Sequence, residues 1–425
     1  MTLAATFLGG AKSRLLPAFV PFRFFIAAAV FHIALWAVLL LAGGDATSFR
    51  GSLGPTLAAV HLLTLGVLTV TAVGAAVQLL PVATRRALAA VWPIKLIFWL
   101  LVPGLTVLVA GMYTYDASMM TIGAVAASAG LLIFAVLLAR NLRGGGSLAV
   151  VTAYGWAAFV ALIALVALGL ALSFDFESGF LRDHASVALS HMIVASFGFM
   201  GMLALGFSHV LVPMFALSAA PAKRPAYAAF AAAAVAVAIA AGGAAHGNRL
   251  ILTIASVIGI GAVLAHLRLM QTALKTGMRK RLGLSFILVR AAWAALLLTP
   301  FVGLAALYDL AGPNGGALFG LVVLGGWLMT FLFGILQRII PFLASMHVTQ
   351  PKGAPPLLSE LASDVPLTVH AICHGIAIVA FAIAIVLDNG WIARGAAAIG
   401  LIGAVAFAVF TADVARRLVG RRTQA

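Results

Sequence analysis

Apolar runs of about twenty residues or more recur along the chain, separated by short stretches of Gly, Pro, Asp, Lys and Arg. Twelve can be drawn, at approximately 16–42, 54–83, 88–111, 116–140, 147–173, 184–217, 225–245, 249–272, 283–308, 315–345, 364–387 and 391–416. At about 1.5 Å per helical residue, each is long enough to cross the ~30 Å hydrocarbon core of a bilayer. The pattern therefore predicts an all-α polytopic membrane protein of about twelve helices. The basic residues follow the same rhythm. Lys12, Arg14, Arg23, Arg85, Arg86, Lys95, Arg140, Arg143, Lys223, Arg224, Lys275, Arg279, Lys280, Arg281, Arg290, Lys352 and the Arg416–Arg422 tail fall on one side of the alternation. Only Arg50, Arg182, Arg249 and Arg394 fall on the other. Lys and Arg are retained on the cytoplasmic side, so the expected topology is N-in/C-in.

A second periodicity lies beneath the first. The second helix of every four closes on a Gly followed seven residues later by a Pro: Gly74 to Pro81, Gly206 to Pro213, Gly334 to Pro341. The fourth helix of each set ends on basic residues, Arg140, Arg268 and Arg416-Arg417. A Gly lets two helices approach closely, and a Pro near a helix end is expected to stop it at the membrane surface. The chain is read as one transmembrane domain, 1–425, in three quasi-equivalent groups of four helices, with units of about 1–145, 146–282 and 283–425. Connections are short except an acidic outer loop at 174–183 and a Pro- and Gly-rich inner loop at 346–363.

Composition narrows the function classes. Charged residues are 8% of the chain and apolar ones 64%, which leaves no room for a soluble domain of ordinary make-up. The net charge of +16 follows from insertion bias and contact with anionic lipid, so nucleic acid is not expected as a partner. Cys373 is the only cysteine, which excludes an intrachain disulfide and a thiolate metal cage. No short apolar stretch with a cleavage site precedes the first span, so no removable signal is expected, and a bacterial inner (cytoplasmic) membrane is the expected location.

The chemistry lies with ten histidines, most of them inside spans, where an ionisable group is costly and marks a functional candidate. Counted from the span ends, His61, His191 and His32 lie about 10–16 Å below the outer surface. His209, His266, His370 and His374 form a layer nearer the inner face. His61 and His191 precede the shared Gly by 13 and 15 residues, where the third group has Leu321 and Phe319. Neutral imidazole suits haem iron or copper, although each ring could equally hydrogen-bond a neighbouring helix. His61, His191 and His32 are thus the cofactor-binding candidates. His370, Cys373 and His374 share one helical face, and with His209 facing them His209, His370 and His374 are the metal-binding candidates; a polar packing patch is the alternative. Met119, Met120, Met192, Met200 and Met202 could be soft ligands but are more simply packing. Every carboxylate lies in a loop or near a span end, so a carboxylate proton relay within the membrane is not expected. Arg23 and Arg290, a short way into the first helix of their groups, are expected to snorkel to headgroups.

The stretch from His61-Leu-Leu-Thr-Leu-Gly66 through Gly74 to Pro81 is similar to the second helix of the haem-copper oxidase subunit I superfamily. Pro21-Phe-Arg23-Phe-Phe25 resembles the start of NnrS-like haem- and copper-containing membrane proteins. The resemblance implies twelve helices in three arcs, haem b, copper as a further option, and His61 as an axial ligand with His191 or His32 as partner. It departs from the oxidases where Ala195 follows His191 by four residues, where helix 7 lacks a His-His pair, and where helix 10 has no histidine within the membrane. The NnrS-like Trp-His-x-His-Glu cluster is reduced to His61. The expected function is electron transfer, or handling of nitric oxide or another small gas, without a haem-copper oxygen-reducing centre. Expected partners are the lipid bilayer, a redox partner protein and a small gas or metal ligand. The rival readings are a transporter for a metal ion, haem or small solute, and a non-catalytic assembly factor.

Overall fold

The computed structural model describes residues 16–83, 90–143, 148–347 and 358–422. Twelve helices are long and apolar enough to cross a membrane: α1 Phe19–Ala46, α2 Pro55–Leu79, α3 Trp92–Thr114, α4 Ala117–Leu142, α5 Ala149–Ser178, α6 His184–Ala216, α7 Lys223–Ala245, α8 Arg249–Thr276, α9 Gly283–Leu307, α10 Gly315–His347, α11 Asp364–Leu387 and α12 Gly390–Val419. Each matches a stretch drawn from hydropathy to within a few residues. Among the described residues no strand occurs. In a bilayer this is expected, because a helix satisfies its own backbone groups where water is absent. Lys12, Arg14, Arg85, Arg86, Lys352 and most of the 346–363 loop lie outside the described residues.

The helices pack as a ring closed by α12 against α1, with α2, α6 and α10 drawn into the middle. Of their most apolar stretches, 67%, 56% and 67% is buried within the protein, against 22–50% for the other nine. The other nine spend more of their surface on lipid, with exposed Leu, Ile, Val and Phe side chains along them. At the centre Trp327 of α10 lies 5.5 Å, centroid to centroid, from Phe197 of α6.

The three central helices share two devices. Each contains a π-helical segment, Leu62–Thr69, Val194–Gly201 and Val322–Met329, beginning 12 residues before its shared Gly. Hydroxyls fill the widened turns: Thr69 donates to Thr64 O and Thr330 to Gly325 O, each five residues back. The shared glycines are contact points with the first helix of each group. A Cβ on Gly74 would stand 2.6 Å from Cβ of Phe24, and one on Gly206 2.6 Å from Cβ of Tyr154. One on Gly334 would meet the Ser285 carbonyl at 2.9 Å. The prolines do not act as stops. Helix continues past Pro81, Pro213 and Pro341 to Ala83, Ala216 and His347. A Pro in a closing turn costs one hydrogen bond, which neighbouring packing can absorb.

Two ends differ from the hydropathy reading. A 3-10 turn, Gly43–Ala46, prolongs α1, and Thr47 Oγ1 donates to Asp388 Oδ1 at 2.7 Å, tying that end to the α11–α12 turn. α5 runs on to Ser178, which shortens the acidic loop. Asp175 makes this possible by accepting the Leu181 amide at 2.6 Å and engaging His184 Nδ1 at 2.7 Å. Other polar residues at the ends cap helices: Asp116 for α4, Asp183 for α6 and Asn248 for α8 each accept an amide from the first turn. The hydroxyl and amide of Ser186 hold the Asp183 carboxyl below its usual range. Asp413, the deepest acid near the other face, is neutralised by Arg416 and Arg417 at 2.8 and 2.9 Å.

The glycine contacts yield a prediction. Gly74→Ala and Gly206→Ala should each destabilise the protein by about 1–3 kcal/mol, because the facing Phe24 and Tyr154 must move. Gly261→Ala, on α8 with open space beside it, should be neutral or slightly stabilising. Thermal unfolding in detergent measures all three, and equal effects would remove the contact-point reading.

Candidate functional site

Seven of the ten histidines sort into three places, and the sorting differs from the two layers expected from depth. The proximal face is where α1 begins and α12 ends, and the distal face is opposite.

The first place is the distal half of the central helices. Although α2, α6 and α10 are the most buried helices, their distal ends are only half-buried, at Leu57, Val60, His61, Thr64 and Leu65 on α2, Val187 to Leu189 and His191 on α6, and Ala317 to Val322 on α10. His61 opens onto this region at the last residue before the π-segment. Its Nδ1 lies 3.0 Å from the Leu57 carbonyl. A carbonyl only accepts, so Nδ1 carries the proton and Nε2 keeps its lone pair. His191, from α6, is near enough for its ring to interact electrostatically with that of His61. Its Nδ1 is buried without a partner. Gly169 makes room for it: a Cβ there would stand 3.1 Å from His191 Cε1. In the third group Phe319 lies against Gly303 in the corresponding way. His61 thus has one nitrogen on a carbonyl and the other without a partner, and His191 stands within electrostatic range of it with Nδ1 unpartnered.

His32 does not join them. It belongs to a second cluster at mid-depth between α1, α10, α11 and α12, with His370 at 5.9 Å and His374 a further 5.6 Å along, centroid to centroid. Phe333 and Phe407 pack into the same cluster at 4.6 and 5.0 Å from His370. The turn Gly43–Ala46 explains the displacement, because it lengthens α1 and so sets His32 deeper than a count from residue 42 implies. Hydrogen bonds fix two tautomers. The Trp36 indole donates to His32 Nε2 at 3.0 Å, so the proton of His32 sits on Nδ1. Thr330 spends its one proton on Gly325 O, so its oxygen accepts from His374 Nε2 at 2.8 Å. His32 Nδ1, His374 Nδ1 and both nitrogens of His370 are buried and unpartnered. Cys373 stands apart, its Cβ 3.0 Å from where a Cβ of Gly403 would be.

His209 is also elsewhere, so the expected set His209, His370 and His374 is not assembled. His209 sits in the proximal half of the second group, 5.5 Å from His266 and 5.6 Å from Tyr154 between ring centroids. Among the described residues no group of three His, Cys, Asp or Glu side chains is placed to hold a metal ion. His347, the histidine of α10, lies at its proximal end with both nitrogens on carbonyls, Leu343 and Leu16, each at 2.7 Å. Arg290 is exposed as expected, but Arg23 does not snorkel fully. Its guanidinium lies 5.4 and 5.1 Å from the rings of Phe24 and Phe98, with Nε and Nη2 buried and unpartnered. Tyr154 and the Thr330 tautomer lock went unnoticed in the sequence; a Tyr facing the shared Gly was the available signal for the first.

No protein-family model and no curated protein sequence matches the chain. Its fold is nevertheless found among solved structures. A haem-copper terminal oxidase, determined as a dimer by cryo-electron microscopy, superposes with a TM-score of 0.63 at 12% identity, over 96% of this chain and 84% of that one. The chain therefore shares the oxidase subunit I-like architecture of twelve membrane-spanning helices.

Unequal partnering in the mid-depth cluster gives a test. Thr330→Val strands the His374 Nε2–H and should cost about 1–3 kcal/mol. His370→Phe removes an imidazole with no partner from an aromatic niche and should leave thermal stability unchanged or raised. A large loss on His370→Phe would show that this ring is held by something else.

Proposed function

We propose that the chain is a haem-binding integral membrane protein on an oxidase-like scaffold, with His61 as axial ligand and His191 as the ring across from it. Its role on this reading is electron transfer, or handling of a small gas such as nitric oxide. The observation that carries the proposal is the pair of free imidazole nitrogens, His61 Nε2 and His191 Nδ1, on two central helices at half-buried distal ends and within electrostatic range of each other. A ligating histidine commonly gives its other N–H to a carbonyl, which fixes the tautomer and ring direction. Leu57 does this for His61. The π-segments support the reading, since such irregularities often mark functional sites. When bound, haem would supply one-electron redox chemistry, and a diatomic gas would bind where it displaces His191.

The side chains around this pair do not provide for oxygen reduction. Ala195 stands four residues after His191, no histidine lies within α7, and His347 of α10 is at the far end of its helix. Haem b is the proposed cofactor.

The visible spectrum of detergent-purified protein from haem-replete cells tests this. A Soret band is expected, lost in His61→Ala, kept in His246→Ala, and shifted to a five-coordinate form in His191→Ala. Colourless, iron-free protein, or a band indifferent to His61, would overturn the proposal in favour of a carrier or an assembly factor.

A further inference from the structure

The cluster around His209 lies in another part of the molecule and owes nothing to the haem reading. Three helices of the second group build it: Tyr154 from α5, His209 from α6 and His266 from α8. Their exposures are 1%, 5% and 2%. His209 stands between the other two, its ring at 74° to His266, and Phe230 of α7 covers Tyr154 at 4.9 Å. The position is about 10 Å below the proximal face, since His209 lies seven residues before the end of α6. Four polar atoms in this small volume have no partner: Tyr154 Oη, His209 Nε2 and both nitrogens of His266.

The fold does not require these residues. The three groups repeat one scaffold, so its own copies show what else fits. Three residues after the shared Gly, where the second group has His209, the first has Val77 and the third Gln337. Against that Gly, where the second group has Tyr154, the first has Phe24. The first group fills both places with apolar side chains and packs as well. The imidazoles and the phenol are confined to one copy, where their polar atoms are buried without partners; the third copy keeps a single polar side chain there, Gln337.

We propose that His209 and His266, with Tyr154 alongside, bind a single copper ion. With metal–nitrogen bonds of about 2.0–2.1 Å, two imidazoles on one ion hold their centroids about 5–6 Å apart. The observed 5.5 Å falls within that range. No carboxylate of α5 to α8 comes near: Asp175 and Glu177 sit at the distal end of α5, and α6, α7 and α8 contain no acid. A site of neutral donors in low dielectric favours the lowest charge, which selects Cu(I) over divalent ions. Met270 is buried one turn beyond His266 on the same face of α8, bringing a soft thioether to that face.

Full-length protein in detergent, loaded with Cu(I) and passed through a desalting column, is assayed for copper by mass spectrometry and titrated with a Cu(I) chelator. The wild type should retain about one ion per chain. His209→Val and Tyr154→Phe borrow residues from the first group and so should fold; monodispersity on gel filtration checks this. His209→Val and His266→Leu should drop copper to background, and Tyr154→Phe should weaken retention about tenfold. Zinc offered alone should be retained poorly. His61→Ala should keep its copper, which separates failure of this site from failure of the haem site. Wild type that retains no copper, or folded His209→Val that retains as much as wild type, would overturn the proposal; a site occupied only by water gives the first result.

Discussion

A neutral imidazole always carries one N–H, and inside a bilayer there is no water to receive it. That constraint organises the functional reading of this protein. A donor buried without a partner costs about 1–3 kcal/mol, so a chain that places histidines deep within its spans must give each proton an acceptor or hold the ring for another purpose. The helices supply some acceptors. Leu57 O takes the His61 proton, and Thr330 takes that of His374 only because its own is spent on Gly325 O. The second bond spans the widened turn of a π-segment. The irregular central helices are therefore also polar scaffolding, and they occur where the three groups meet.

The three places differ in how this accounting closes. At the distal centre His61 has one nitrogen on a carbonyl and one free, and His191 keeps an unpartnered Nδ1. At mid-depth, Trp36 and Thr330 lock the outer two rings, and aromatic side chains enclose the third. In the proximal cluster Tyr154 Oη, His209 Nε2 and both His266 nitrogens are left open, and the first group places Val77 and Phe24 where the second has His209 and Tyr154. Repeat architecture makes the contrast informative: a feature present in all three copies, such as the Gly contact, belongs to folding, whereas one present in a single copy needs another explanation.

The twelve spans were legible because hydropathy reports the solvent that a helix faces, and the shared Gly was legible because a missing side chain is visible in the sequence as a letter. The π-segments were not. Leu62–Thr69 and Val322–Met329 are as apolar as any neighbouring turn, and one extra residue per turn leaves no compositional trace. Counting from a span end grouped His32 with His61 and His191, from which it stands apart, because such a count ignores both a 3-10 extension and the direction in which a side chain points. Azimuth separates His209 from His370 and His374: they lie on helices of different groups facing different interiors, and periodicity along one helix carries no information about which neighbour it meets.

Fold likeness without sequence likeness fits this division. What twelve helices in a bilayer must do is close a ring, bury three helices and let backbones approach at small residues, and many sequences meet those demands. At 12% identity the shared architecture therefore says where cavities between arcs can form and nothing about what fills them. Filling is decided by single side chains: Val77 or His209 at one register, Leu321 or His61 at another. Each such exchange alters one side chain and leaves the ring intact, so ligand sets on this scaffold can change faster than the scaffold itself. A protein of this fold has to be read imidazole by imidazole, by asking of each nitrogen where its proton goes.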